Sequence, residues 1–222
     1  MILYTDLSPS FESQSLVDMK SILVFTFWLI SLNVITSQSA DKKAGGNCED
    51  CELMFDGIPG KMASSITLIS DEEPGEKMII AGTIFKKDGI TPAPDVILYV
   101  YHTDYKGNYT PSSNQKYARK HGHIRGWIKT GADGKYQITT IRPASYPNTN
   151  IPQHIHPIIK EKGYSLYWID EYLFDDDPNL TQQERKRQEQ RGGSGIIKLK
   201  KDKNGIWLGT RDIILGKNVP GY

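Results

Sequence analysis

The stretch that decides the fold is "HIRGWIKTGADGKYQITTIRP", residues 123–143. Two runs in which apolar and polar residues alternate, 123–130 and 135–143, flank the tetrapeptide "GADG" at 131–134. Alternation with a period of two is typical of a strand with one buried face, and an Asp-Gly turn between two such runs indicates a hairpin. The stretch therefore predicts two strands joined by a β-hairpin.

Further short strand-like runs lie on both sides of this stretch, separated by turns rich in Gly, Pro and Asp, and almost no amphipathic helix is visible. These runs are "KMIIAGTIF" (77–85), "VILYVYHT" (96–103), "HIHPIIK" (154–160), "YSLYWIDEYLF" (164–174), "GIIKLK" (195–200) and "GIWLGTRDIIL" (205–215). We interpret the polar run at 181–191 as a solvated helix or a loose segment. The pattern predicts an all-β fold, an antiparallel β-sandwich with long loops and little helix over residues 76–222, in which the last two runs pair.

The N-terminal residues predict export. Lys20 precedes the apolar run "SILVFTFWLISLNVI" (21–35), and the small, polar "TSQSA" (36–40) follows it. This order of charged, apolar and small residues is typical of a signal peptide. We expect residues 1–39 to be an N-terminal extension and signal peptide that starts at Met19, and the protein to be secreted or held in the periplasm or envelope. A retained N-terminal anchor is the alternative.

Charge and cysteine content narrow the classes of function. The 222 residues carry 27 basic and 26 acidic side chains, a balance that argues against a nucleic-acid partner. Residues 40–75 are interpreted as a linker and N-terminal segment, and they contain the only cysteines, Cys48 and Cys51, in "CEDC". A cysteine zinc site needs four ligands, and a thioredoxin-type pair needs a βαβ context that is not visible here. In an oxidising compartment the expectation is a local disulfide.

Two of the five histidines stand one residue apart in "NIPQHIHPIIK", residues 150–160. In an extended segment His154 and His156 share one face of the strand, which favours a metal site. Tyr109 and Tyr146 each follow a predicted strand, and a phenolate is a hard donor that needs a strong Lewis acid such as ferric iron to ionise. The plainer alternative is a pair of strand histidines hydrogen-bonded at a sheet edge.

Taken together, these segments resemble the intradiol ring-cleavage dioxygenases, the family typified by protocatechuate 3,4-dioxygenase and catechol 1,2-dioxygenase. The resemblance covers residues 80–159. It includes "AGTIFKKDG", the strand "VILYVYHTDYKGNY" that ends at Tyr109, the stretch "RGWIKTGADGKYQITTIRP", the "SYP" of Tyr146 and the "HIH" of His154 and His156. The order Tyr, Tyr-Pro, His-x-His is the order of the family's ligands.

The resemblance implies that Tyr109, Tyr146, His154 and His156 bind Fe(III), with Tyr109 and His154 equatorial and Tyr146 and His156 axial. It implies intradiol cleavage of a catechol-type aromatic with O2 to a muconate-type diacid. In that reaction the catechol dianion displaces Tyr146, which takes up a substrate proton and is therefore the expected catalytic residue. The implied partners are a small aromatic diol and O2, and the resemblance is compatible with a homo-oligomer.

Two positions depart from the family pattern. Ile151 stands where the family usually has an arginine, three residues before the first histidine, and Tyr99 stands where an acidic residue is common. Arg125, Arg142 and Gln153 are candidates to replace the missing arginine. Its loss keeps open an alternative of another class, a non-catalytic β-sandwich that binds ligands with or without the metal.

Another pair with the same spacing, His121 and His123, matches no family ligand, and we interpret it as a loop pair. We interpret "YSLYWIDEYLF" as core and partner surface.

Overall fold

The structure, a computed structural model, describes residues 40–113 and 118–222. The predicted signal peptide, residues 1–39, lies outside these ranges. Within the ranges described, none of the helices has both the length and the apolar character needed to cross a membrane.

Most of the regular secondary structure in the described residues consists of short strands. They are β1 Ser65–Thr67, β2 Lys77–Phe85, β3 Ile97–Tyr101, β4 Arg125–Lys129, β5 Lys135–Ile141, β6 His154–Lys160, β7 Tyr167–Trp168, β8 Tyr172–Phe174, β9 Ile196–Ile197, β10 Lys200–Lys201, β11 Trp207–Thr210 and β12 Ile213–Ile214. Among the described residues, helix is confined to two 3-10 turns, Cys51–Phe55 and Ala118–His121, and one α-helix, α1, at Gln182–Arg187. The helix α1 has no buried residue, in agreement with the predicted solvated segment.

The strands form two sheets that pack on each other. Sheet one has the order β1-β5-β2-β11-β10, with β12 also beside β2, and sheet two has the order β4-β3-β6-β8-β9, with β7 beside β6. Ile80 and Ile138 are paired in sheet one, Leu98 and Ile159 are paired in sheet two, and all four side chains are fully buried in one core. Each such side chain contributes about 1.5–3 kcal/mol of transfer free energy, so the shared core holds the sandwich together.

The predicted all-β class is confirmed, and both sheets are mixed. The central pairs, such as β2 with β5 and β3 with β6, are antiparallel as predicted. Parallel pairs add β1 to β5, β11 and β12 to β2, and β9 to β8. The last two predicted runs do pair with each other, through β10 and β11, and their remaining residues join other strands.

The predicted hairpin at residues 131–134 is wrong. The tight turn is present, since Gly134 N donates to Gly131 O at 3.0 Å and Gly134 has a φ of +67°. However, β4 pairs with β3 in sheet two, whereas β5 pairs with β2 in sheet one. The turn therefore carries the chain from one sheet to the other, because Ile128 and Ile138 both bury their side chains in the core between the sheets.

The N-terminal segment covers the outer face of sheet two. Cys48 and Cys51 are joined in a disulfide, as expected, and the 3-10 turn that begins at Cys51 buries Met54 against Tyr99 and Ile158. Trp127 Nε1 donates to Met54 O at 2.5 Å. Residues of this segment therefore shield one part of the sheet surface that lies beside the predicted ligands.

Candidate metal centre

The structure brings the four predicted ligands together. Tyr109 Oη lies 2.7 Å from Tyr146 Oη. Tyr146 Oη lies 3.1 Å from His154 Nε2 and 3.4 Å from His156 Nε2, and the two Nε2 atoms are 3.0 Å apart. Two imidazole nitrogens and two phenol oxygens from three separate segments thus meet at one point.

Strand β6 places the two histidines. Positions 154 and 156 share a face of the strand, and the alternate residues Ile155 and Ile159 point into the core. His154 is 9% exposed, and its Nδ1 donates to Pro152 O at 2.6 Å. A carbonyl can only accept, so Nδ1 carries a proton, and in the neutral imidazole Nε2 is then the acceptor that faces the other three groups.

The turn after β3 places Tyr109. The carboxylate of Asp104 accepts from the backbone N–H of Lys106 at 2.8 Å and of Asn108 at 3.0 Å. Gly107 has a φ of +81°, and a Cβ there would lie 2.0 Å from the carbonyl oxygen of Ser145. Glycine is therefore required both for the backbone conformation and for close approach of the segment that carries Tyr146.

Further contacts attach the Tyr146 segment to the same turn. Ala144 N donates to Asp104 O at 3.3 Å, and Thr103 Oγ1 donates to Ala144 O at 2.7 Å. Thr149 Oγ1 donates to the carbonyl of Tyr146 at 3.0 Å. The two tyrosine-bearing loops are consequently held to each other as one unit, which explains why residues far apart in the chain present adjacent phenols.

Burial controls the protonation of these groups. It raises the pKa of Tyr109 well above the ordinary value, and the hydrogen bond to Tyr146 adds to this rise. Burial also raises the pKa of Tyr146, partly offset by the bond with Tyr109, and the charge of Glu171 adds to the rise. Burial lowers the pKa of His156 well below its ordinary value, and His154 beside it has the same effect. His156 is thus held as the neutral imidazole that a metal requires.

The donor set fits a hard trivalent cation. Protein N and O ligands lie about 2.0–2.2 Å from a metal, so neighbouring donors at roughly right angles are about 3 Å apart, close to the separations found here. Among the described residues, no three His, Cys, Asp or Glu side chains form a metal-binding group. Tyr109 and Tyr146 would have to complete the set, and phenols with raised pKa values ionise only next to a strong Lewis acid.

Arg125, a candidate to replace the arginine that the resemblance leads us to expect, is engaged away from the four predicted ligands. Its Nη2 donates to Asp56 O at 2.8 Å, and its Nη1 donates to Leu53 O at 3.3 Å and to Tyr99 Oη at 3.2 Å. Burial raises the pKa of Tyr99 to about 12, and the bond from Arg125 opposes this rise. Tyr99, at the position where the family commonly has an acid, therefore serves to anchor Arg125 and the N-terminal segment.

Arg142 is also engaged elsewhere. It donates to both carboxylate oxygens of Asp176, at 2.8 and 2.9 Å, and to Gln153 Oε1 at 2.7 Å. The candidate Gln153 is thereby bound to Arg142 and not to the four ligands. Ile151 itself is 45% exposed and lines the cavity beside the histidines.

The interpretation of His121 and His123 as a loop pair is wrong for His121. His121 ends a 3-10 turn, is buried and lies stacked on Tyr101, with ring centroids 3.7 Å apart. The other face of Tyr101 stacks on His156 at 4.6 Å. His123 instead lies near the surface, where its Nε2 is 3.0 Å from a carboxylate oxygen of Glu73.

Glu171 is the residue at this site that the sequence interpretation missed. Its Oε1 lies 3.8 Å from His156 Nδ1, and it lines the cavities on both sides of His156. It belongs to "YSLYWIDEYLF", which breaks between β7 and β8, and β8 pairs with β6 through His154 and Leu173. The available signal was a pair of acids inside an otherwise apolar run.

Comparison with known proteins finds a matching family model and partial matches to curated relatives. A family model described as "Dioxygenase" matches residues 61–183, more than half of the chain. Catechol 1,2-dioxygenase 1 of Acinetobacter lwoffii is 35% identical over 83 residues, which are 37% of this chain and 26% of that protein. The protocatechuate 3,4-dioxygenase beta chain of Burkholderia cepacia is 26% identical over 121 residues, 51% of each chain. The chain thus spans about half or less of the length of these curated relatives.

Solved structures show the same fold. The dioxygenase domain of a dioxygenase–carbohydrate-binding protein fusion from Streptomyces sp. SirexAA-E superposes with a TM-score of 0.54 at 21% identity, over 71% of this chain and 91% of that one. Catechol 1,2-dioxygenase from Acinetobacter sp. ADP1 superposes with a TM-score of 0.52 at 19% identity, over 71% and 59% of the two chains. On the extent of the family match, the chain belongs to the intradiol dioxygenase family.

Proposed function

We propose that the protein is a non-haem Fe(III)-dependent enzyme that cleaves a catechol-type aromatic in the intradiol position with O2. The observation that carries the proposal is the meeting of Tyr109, Tyr146, His154 and His156 within 2.7–3.4 Å of one another. These four side chains would hold the iron. Bound there, ferric iron would act as a Lewis acid and template for the catecholate.

The protein's own groups have separable tasks in this proposal. Tyr146 lines the cavity beside the histidines, and its phenol oxygen lies within 3.1–3.4 Å of both imidazole Nε2 atoms. Its phenolate would take the proton of an arriving catechol hydroxyl and leave the position it occupied. Tyr109, His154 and His156 would remain in place, with His154 oriented by Pro152 O.

Neighbouring side chains exclude water from part of the site. Tyr101 packs flat against His156 and is itself covered by His121 on its other face. Ile151, Pro152 and Leu173 supply apolar wall to a cavity of about 220 Å³ that Tyr146 and both histidines also line. An aromatic ring placed here would lie against apolar side chains while its hydroxyls faced the four donor atoms.

The test is iron loading followed by measurement of colour and oxygen uptake. Ferric ion should give the reddish tyrosinate charge-transfer band, and O2 consumption should follow addition of at least one of catechol, protocatechuate, hydroxyquinol or a chlorinated catechol. A colourless protein without bound iron would refute the metal assignment.

A second candidate function is a metal-binding but non-catalytic sandwich. The observation that favours it is Ile151 at the arginine position together with the engagement of Arg125 and Arg142 elsewhere. A coloured, iron-loaded protein that binds catechols without consuming O2 would establish this candidate instead.

The compartment is part of the proposal. A signal-peptide pattern in residues 1–39 and a disulfide between Cys48 and Cys51 both suit an oxidising environment outside the cytoplasm. Expression with the native N-terminus should release a shortened chain into the medium or periplasm, and mass spectrometry of that product would locate the cleavage. Recovery of the protein only in the cytoplasm, with residues 1–39 intact, would contradict export.

A further inference from the structure

Two cavities meet at His156 and Glu171. One, of about 220 Å³, is lined by Tyr146 and both histidines, and it includes Glu171 and Glu184. The other, of about 150 Å³, lies on the Tyr101 side of His156 and includes Glu171 and Glu49. Glu171 lines both of them, so its side chain borders the space on either side of His156.

The lysine, arginine, aspartate and glutamate side chains that line these two cavities are all acidic. In the described part of the chain, neither cavity is lined by a lysine or an arginine. Arg187 forms an ion pair with Glu184 at 2.6 Å, which compensates that acid. Arg191 lies behind the wall of the second cavity, 3.6 Å from the Trp168 ring, with its Nε on Glu189.

No lysine or arginine among the described residues forms an ion pair with Glu171. Its only ion-pair contact among the described residues is with His156, at 3.8 Å. A histidine that binds a metal does so as the neutral imidazole, so His156 would bring no positive charge to this pair. Ferric iron with one bound phenolate and a catechol dianion is neutral overall, so the occupied centre would not compensate Glu171 either.

We propose, on the basis of the proposed function, that the site selects catechols by the charge of their ring substituent. Catechols that carry an ammonium group are bound best, neutral catechols less well, and catechols that carry a carboxylate least well. Glu171 receives the ammonium group of the first class and repels the carboxylate of the last. Ile151, which lines the same cavity, also disfavours a carboxylate, because its side chain has no positive charge to pair with an anionic substituent.

The side chain of Glu171 is 41% exposed, which limits the expected effect. Solvent screens a partly exposed charge, so one unit charge at hydrogen-bond distance should change affinity by about five- to tenfold in each direction. The same screening makes the effect sensitive to salt.

The test uses three ring substituents of similar size on the iron-loaded protein. Under anaerobic conditions, the dissociation constants of 4-ethylcatechol, 4-(2-aminoethyl)catechol and 3,4-dihydroxyphenylacetate are measured from the shift of the tyrosinate charge-transfer band. The amine should bind about five- to tenfold more tightly than the ethyl compound, and the carboxylate about five- to tenfold more weakly. In Glu171→Gln both ratios should shrink towards one.

Glu72→Gln is the matched control, because this substitution removes the same charge from an exposed residue that lines neither cavity. It should keep the wild-type ratios. Should Glu171→Gln fail to fold, the wild-type ratios at about 0.02 M and about 0.5 M NaCl give the same information, since screening should bring them together. Equal affinities for all three compounds, or ratios unchanged in Glu171→Gln, would overturn the charge selection and leave the proposed function standing. No band shift with any catechol would refute the proposed function itself.

Discussion

The two faces of sheet two are built by the same strands and have opposite chemistry. On the inner face, Leu98 of β3 and Ile159 of β6 pack into a dry hydrocarbon core. On the outer face, the alternate residues Tyr101 of β3 and His156 of β6 stack on each other beside the four donor atoms. The difference shows that a strand's two-residue period separates stability from function along a single segment.

The largest expected effect belongs to the outer face. Tyr146→Phe should reduce turnover by about 10²–10⁴-fold, because it removes a positioned proton acceptor. Iron should remain bound through Tyr109, His154 and His156, with a shifted charge-transfer band because one of two phenolates is lost. Oxygen uptake and the visible spectrum check both expectations. Tyr109→Phe is the matched comparison, and it should weaken iron retention itself. A Tyr146→Phe protein with the wild-type spectrum and full activity would contradict the ligand set.

A substitution on the inner face should change the stability of the protein and leave the metal site unchanged. Ile159→Ala removes a fully buried side chain and should lower the free energy of unfolding by about 2–5 kcal/mol. The charge-transfer band of the folded, iron-loaded variant should be unchanged, because Ile159 faces away from the ligands. Urea unfolding of this variant, with Tyr146→Phe measured in parallel, separates the two faces. A large spectral change in Ile159→Ala would show that they are not independent.

How far the sequence predicts this arrangement differs between the faces. The inner face follows from alternation alone, so β2, β5 and β6 were found with accurate bounds. On the outer face, the four ligands follow from the family resemblance. Glu171 was missed because its pair of acids in an apolar run does not report that β8 pairs with β6 beside His156. The turn at 131–134 was recognised but its strands were paired wrongly, since turn chemistry fixes the bend and not the partner. The three-residue β1 has too little alternation to be predicted.

Gly107→Ala should have a smaller but specific effect on the outer face. The backbone there has a φ of +81°, and the new Cβ would lie 2.0 Å from Ser145 O. The strain should cost about 1–3 kcal/mol and push the two tyrosine loops apart. Iron affinity should therefore fall. Gly163→Ala is the control, because Gly163 has a φ of +83° with no atom within 4 Å of the added Cβ. Equal loss of iron affinity in both variants would mean that loop contact is not the cause.

The smallest expected effect is a pH dependence at the rim of the outer face. His123 lies between Thr110 O at 2.7 Å and Glu73 at 3.0 Å, and although burial opposes it, these two bonds raise the pKa of His123. Because folding raises the pKa of His123, its protonation stabilises the folded state. This stabilisation is complete below the pKa of the unfolded state, about 6.5, and is lost as pH rises through the pKa of the folded state. His123→Gln should therefore lower the melting temperature at pH 5.5 and hardly at pH 9. A deficit that grows with pH would contradict this sign.

Sheet one has a consequence for how the chain folds. Its central strand β2 is flanked by β11 and β12, which come from the far end of the chain. Until those last strands have been synthesised, one edge of β2 has no partner and the core cannot close. A nascent chain with this topology therefore keeps the paired edge of β2 open until β11 and β12 have left the ribosome.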